Sequence, residues 1–198
     1  MPVYPFRDRW PRIAEEAFLA FSAVVSGDVE IGPETNVWFG AIIRGDVAPT
    51  RIGARVSIQD NAVLHQSPNR PLIVEDDVVI GHGAIVHSAV VRRGALIGMG
   101  AVVLDGAVVE EGAIVGAGAL VPPGGRVPAH TVVIGRPARP LRETTDADRA
   151  EHARIVREYV EKGRLYRAAG AGRPPLSETD RSPSKPTVPF KKAGDSYR

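Results

Sequence analysis

Six glycines stand at a strict spacing of six, running Gly94, Gly100, Gly106, Gly112, Gly118 and Gly124, and an alanine follows each of the first five. Three residues after each glycine through Gly118 comes a branched aliphatic: Ile97, Val103, Val109, Val115 and Val121. Only a coiled, repeating backbone needs that register. A hexad repeat of this kind is the signature of a parallel β-helix. Each hexad supplies one short strand and a turn, the aliphatic pointing into the coil and the small residues allowing the tight corner. Upstream the repeat begins near Val25 and runs through Ile31, Val37, Ile43, Ile52, Ile58, Leu64, Val74, Ile80, Val86 and Val91. The steps from 43 to 52 and from 64 to 74 are insertions, predicted to bulge as loops, and the step from 86 to 91 is a deletion.

The rest of the chain is trimming around this core. Residues 1–20 read as an N-terminal lead-in, with a short helix predicted over Trp10–Ala20. The β-helix is assigned to 21–140 and a linker with a C-terminal helix to 141–170. That helix is predicted over 146–168, with Asp146 as N-cap and Ile155, Val156, Tyr159 and Val160 as its apolar face. The segment 171–198, rich in Pro, Ser, Lys, Gly and Arg, is expected to be disordered.

Composition narrows the function. Aromatics are scarce at 6% while hydrophobic residues reach 43%, which suits a thin core of stacked Val, Ile and Ala. No cysteine is present, so disulfides and thiolate chemistry are excluded, leaving His and carboxylates as the strong metal ligands. The net charge of +2 is small, and the basic excess lies in 171–198, so no nucleic-acid partner is expected. The start, MPVYPFRDRW, has no apolar run, and no stretch approaches the roughly 20 apolar residues of a membrane span. A cytoplasmic protein without a membrane partner is the expectation.

If three hexads make one triangular coil, every third inward aliphatic shares a face. Ile43, Leu64 and Val86 then lie on one face, and Val37, Ile58 and Ile80 on another. The residue after each inward aliphatic points outward, because strand side chains alternate. On the first face those residues are Arg44, His65 and His87, so the two histidines stack and can grip one metal ion. Asp60 and His82 share a slot on the other face, next to Gln59. His82 thus faces away from His65 and His87 on its own chain and joins them only where two subunits meet. A ring of three such subunits, a homotrimer with one three-histidine site per interface, is the predicted assembly. His130 and His152 have no such company.

These residues carry a family resemblance. Arg44-Gly45-Asp46, Ile58-Gln59-Asp60 with His65 after it, Gly81-His82-Gly83 with His87 after it, and Gly135-Arg136-Pro137-Ala138-Arg139 together resemble the γ-class carbonic anhydrases. The resemblance covers about residues 10–168. It implies an all-β, left-handed parallel β-helix of hexapeptide repeats with a C-terminal α-helix, assembled as a trimer. It implies a metal, Zn²⁺ or alternatively Co²⁺ or Fe²⁺, held by His65 and His87 of one chain and His82 of the next. It further implies that Arg44 and Asp46 form an interfacial ion pair, that Gln59 orients water or bicarbonate, and that Asp60 belongs to the same hydrogen-bond network. Tyr159 resembles a tyrosine that some members place near the metal from the C-terminal helix; its spacing equally fits a packing residue.

The activity so implied is reversible hydration of CO₂ to bicarbonate. A shell of three neutral imidazoles keeps the metal's full charge and leaves a coordination position open, the mark of a catalytic site. Two features differ from the family archetype: Val47 stands where it has a glutamate, and the Gln66–Leu72 loop is short and carries no carboxylate. The chain therefore resembles the family's shorter branch. Other functions compatible with a hexad coil are acyl transfer with one histidine as general base, thioester hydrolysis at the same site, and a metal-binding scaffold without turnover.

Overall fold

The computed structural model describes residues 3–171 and has a parallel β-helix followed by one long helix. Its strands fall on three faces, and the parallel register stacks the inward aliphatics coil upon coil. The first face carries Val3, Val25, Ile43, Leu64, Val86, Val103 and Val121 in line. The second carries Ile13, Ile31, Ile52, Val74, Val91, Val109 and Val127. The third carries Leu19, Val37, Ile58, Ile80, Ile97, Val115 and Val133. All except the partly buried Ile13 are buried, and each such side chain contributes roughly 1.5–3 kcal/mol of transfer free energy. The alanine after each of the first five repeat glycines is fully buried at the corner.

Four expectations need correction, the last of them at the helix N-cap. Residues 10–20 are not helical: Arg12–Ile13 and Phe18–Leu19 are strands that pair with Glu30–Ile31 and Asn36–Val37. The reason is legible in hindsight, since Ile13 and Leu19 continue the six-residue step back from Val25. The insertion between Ile43 and Ile52 does not bulge as a loop. It is taken up by a single 11-residue strand, Ile42–Ile52, whose register against the preceding coil shifts between Gly27 and Val29. That continuous strand crosses a corner and joins the first two faces into one sheet. The stretch expected as a linker turns back on itself: Arg139–Glu143 runs antiparallel to Thr131–Ile134 and finishes the third face. The second insertion is a loop, between the strands Val63–His65 and Leu72–Val74. The predicted disorder of 171–198 falls, apart from Ala171, outside the described residues.

The helix, α1, spans Asp146–Ala168. Its N-cap is Thr145, one residue before the expected Asp146, because Thr145 and Asp148 form a reciprocal capping box. It lies along the third face. Val156 is buried there, Tyr159 packs edge-on against Trp38 at 5.4 Å between centroids, and Gly163 lets the helix close on Phe18 and Asn36. Ile155 and Val160 are only half buried.

Candidate metal centre

The first face places His65 at the end of the strand Val63–His65 and His87 at the end of Ile85–His87, directly paired in register. Their rings lie 5.1 Å apart, with His65 Nδ1 and His87 Nε2 facing each other at 3.0 Å. The remaining ring nitrogens are both held by carboxylates. His65 Nε2 is 3.0 Å from Asp46 Oδ1, and His87 Nδ1 is 2.5 Å from Asp105 Oδ1.

The electrostatics fix the tautomers. Burial alone would raise the Asp46 carboxyl, but hydrogen bonds from Arg44 and His65 outweigh it and hold the group below the usual carboxylate range. The Ser67 hydroxyl and His87 do the same for Asp105. Two ionised carboxylates only accept, so His65 Nε2 and His87 Nδ1 must be the donors. Burial depresses the pKa of His65, and Arg44 adds to this, against the opposing pull of Asp46. Where neither ring carries a second proton, two lone pairs face each other across 3.0 Å. That arrangement is repulsive unless a cation lies between them. Two nitrogens on a tetrahedral zinc at 2.0–2.1 Å are separated by about 3.3 Å, so this pair fits such an ion with little movement. Carboxylate–histidine pairs of this type orient metal ligands and raise their basicity.

His82 has the same arrangement on the other edge of the first face, at the corner between the third face and the first. Its Nδ1 is 2.8 Å from Asp60 Oδ2, and its Nε2 is left facing the Tyr159 hydroxyl at 3.5 Å, the limit of a hydrogen bond. Burial and the neighbouring Asp60 raise the Tyr159 pKa, so the phenol is a proton donor at neutral pH. Gln59 is buried at this corner, between the stacked slots of Trp38 and Gly81. Arg44 pairs with Asp46 of its own chain at 2.5 Å.

Each expected residue thus sits in one of two groups at opposite edges of one face: Arg44, Asp46, His65 and His87 at one, Gln59, Asp60, His82 and Tyr159 at the other. Among the described residues no three His, Asp or Glu side chains within the chain are grouped to hold a metal. The residue that sequence reasoning missed is Asp105. Its signal was present: it lies two past Val103, which stacks on Val86, so it borders the slot above His87. A cavity of 440 Å³ lies elsewhere, between α1 and the corner bearing Asp77, Gly112 and His130, and none of the candidate residues lines it.

The coil and its hexad register define a hexapeptide-repeat protein. No protein-family model matches the chain. Relatives resolve the family. A carbonic anhydrase of Geobacillus kaustophilus is 54% identical over 166 residues, covering 84% of this chain and 91% of that one. The mitochondrial γ carbonic anhydrase 1 of Arabidopsis thaliana is 40% identical over 170 residues, covering 83% of this chain and 62% of that one. An uncharacterized transferase of Bacillus subtilis is 60% identical over 165 residues, covering 83% and 96%. The chain belongs to the γ-class carbonic anhydrase family of hexapeptide-repeat proteins.

Proposed function

We propose that this chain is an enzyme of reversible CO₂ hydration, working with a divalent metal, Zn²⁺ or alternatively Co²⁺ or Fe²⁺, shared between subunits of a homotrimer. The observation that carries the reading is the pair of imidazoles, His65 and His87, with nitrogens facing at 3.0 Å and their outer nitrogens held by Asp46 and Asp105. His82 of the partner subunit completes the set, its Nδ1 held by Asp60 in the same manner. When bound, such a cation lowers the pKa of a coordinated water toward neutrality, the chemistry known from carbonic anhydrases generally.

The chain's own residues do the rest. Asp46, Asp60 and Asp105 fix ring orientation and keep the inward nitrogens unprotonated. Arg44 neutralises Asp46 so that its charge is not left uncompensated at a subunit contact. Gln59 offers an amide at the His82 corner for orienting water or bicarbonate. The Tyr159 phenol, within reach of His82 Nε2 in the single chain, is positioned to hold or pass a proton at that edge.

The outer side of the first face supports the assembly. Val24, Ile42, Val63, Ile85, Val102 and Leu120 form an outward apolar ladder in unbroken register, with Ile42 and Ile85 about 40% exposed. The ladder lies between the two half-sites, so a second copy covering it brings one chain's His82 toward another's His65 and His87.

The transferase name of the Bacillus subtilis relative favours a second reading, acyl transfer with a single histidine as base. That reading leaves the paired, carboxylate-held imidazoles without a purpose. Stopped-flow CO₂ hydration on protein loaded separately with zinc, cobalt and ferrous iron, with metal content assayed on the same samples, separates the two. The expected result is about one metal per chain and hydration that His82→Ala abolishes together with metal binding, the circular dichroism unchanged. Metal-free protein with full thioester turnover overturns the anhydrase reading.

A further inference from the structure

The Gln66–Leu72 loop contributes no ligand, yet it is tied to His87 through a chain of short hydrogen bonds. Asp105 Oδ1 accepts from His87 Nδ1–H at 2.5 Å, and its Oδ2 accepts from the Ser67 hydroxyl, also at 2.5 Å. With both oxygens engaged the carboxylate cannot rotate. Ser67 is anchored in turn. Its backbone N–H donates to Ser88 Oγ at 2.6 Å, and Ser88 Oγ donates to the Arg70 carbonyl at 3.0 Å. Ser88 is buried and held in left-handed backbone at φ 45°, directly after His87. The loop, the corner after His87 and the next coil thus converge on one imidazole edge.

The carboxylates behind His65 and His87 are not equivalent. Asp46 is shared with a guanidinium, Arg44, which draws off part of its charge. Asp105 has a neutral hydroxyl, Ser67, on its other oxygen, and Arg70 acts on it only through space, the smallest of the pulls on it. We propose that Asp105, locked by Ser67, is the positioning residue for His87: it selects the Nδ1–H tautomer and leaves Nε2 unprotonated toward His65. The inference rests on the metal reading above only for its purpose, since the tautomer is a property of the metal-free chain.

The isosteric Asp105→Asn tests it. With Ser67 donating to the remaining oxygen, the amide NH₂ faces His87 Nδ1 and forces the proton onto Nε2. In ¹⁵N NMR of metal-free protein at pH 8, wild type is expected to show His87 as Nδ1–H and the variant as Nε2–H. Zinc affinity, measured by chelator competition, is expected to fall 10–100-fold. Adding Ser67→Ala frees the amide to turn over, so the double variant is expected to recover part of the Nδ1–H population and part of the affinity, a rescue that a merely structural role does not produce. An unchanged His87 tautomer in folded Asp105→Asn overturns the proposal. A tautomer switch in Asp105→Asn together with a wild-type protein that binds no zinc overturns the metal reading and leaves the role of Asp105 standing.

Discussion

Gly81 stands directly before His82, and what it lacks is what lets the coils close there. A Cβ on Gly81 would lie 2.7 Å from the Met99 backbone nitrogen and 3.0 Å from the Ile97 carbonyl oxygen. Both are backbone atoms of the next coil, so neither can swing aside. Gly81→Ala is therefore expected to destabilise the fold by about 1–3 kcal/mol, the range for overpacking a tight contact, and to displace the His82 corner. Gly83, on the other side of His82, presents a different constraint: it has φ +66° and open space around its missing Cβ. Gly83→Ala is expected to cost only the left-handed strain, about 1 kcal/mol. Urea denaturation of the two variants checks the order, and equal costs would show that the coil contact at Gly81 is not tight. The same reasoning explains why Asp105 escaped the sequence. Histidines advertise themselves by chemistry, whereas an aspartate at the corner of a strict hexad reads as a solvated turn residue until the coil above is placed over the one below.

At the scale of the elements, α1 shows how a cap is decided. Asp146 has the right chemistry, but its side chain is almost fully exposed and pairs only with Arg149, while Thr145 and Asp148 satisfy each other's backbone donors. Thr145→Ala is expected to cost about 1 kcal/mol and Asp146→Ala less than about 0.5 kcal/mol, measurable as a difference in thermal midpoint. Further along the helix, His152 Nε2 is buried without a hydrogen-bond partner. Burial holds the His152 pKa below its ordinary value, against the pull of the Ala95 carbonyl and of Asp77. The folded state therefore binds its proton less readily than the unfolded chain. Stability from this group is present above the unfolded pKa near 6.5 and is lost as pH falls below it. His152→Leu is expected to lose less thermal stability than wild type between pH 7.5 and 5.5, and an identical pH response in both would place the acid sensitivity elsewhere. Most of this architecture was legible because the hexad spacing and the helical spacing are each set by backbone geometry. The first coil was not, because Pro11 followed by the Ala14-Glu15-Glu16-Ala17 run between Ile13 and Leu19 fits the first turns of a short helix as well as a strand, which masks two aliphatics that keep the six-residue step. The Ile42–Ile52 strand was not either, since extra residues in a repeat look alike whether they loop out or extend the strand.

The whole molecule places its chemistry on the two edges of its most apolar outer face. The second face sets Arg12, Glu30, Arg51 and Arg126 among its outward residues, and the third is covered by α1. The first offers Val24, Ile42, Val63, Ile85, Val102 and Leu120 to solvent in the single chain. No helix among the described residues is long and apolar enough to cross a membrane. On the proposed homotrimer the ladder meets another copy, and assembly and metal binding become one event, because His82 reaches His65 and His87 only across that contact. Ile85→Arg puts a charge in the middle of the ladder two residues before His87 without touching any inward aliphatic. It is expected to give a folded monomer by light scattering, with zinc binding weakened at least 10-fold, each carboxylate-held histidine pair lacking its third partner. Leu141→Arg, on an exposed residue of the C-terminal hairpin, changes surface apolarity without entering the ladder and is expected to leave both assembly and zinc binding as in wild type. An Ile85→Arg protein that stays trimeric would move the interface off this face, and one that is monomeric yet binds zinc at full affinity would return the site to a single chain.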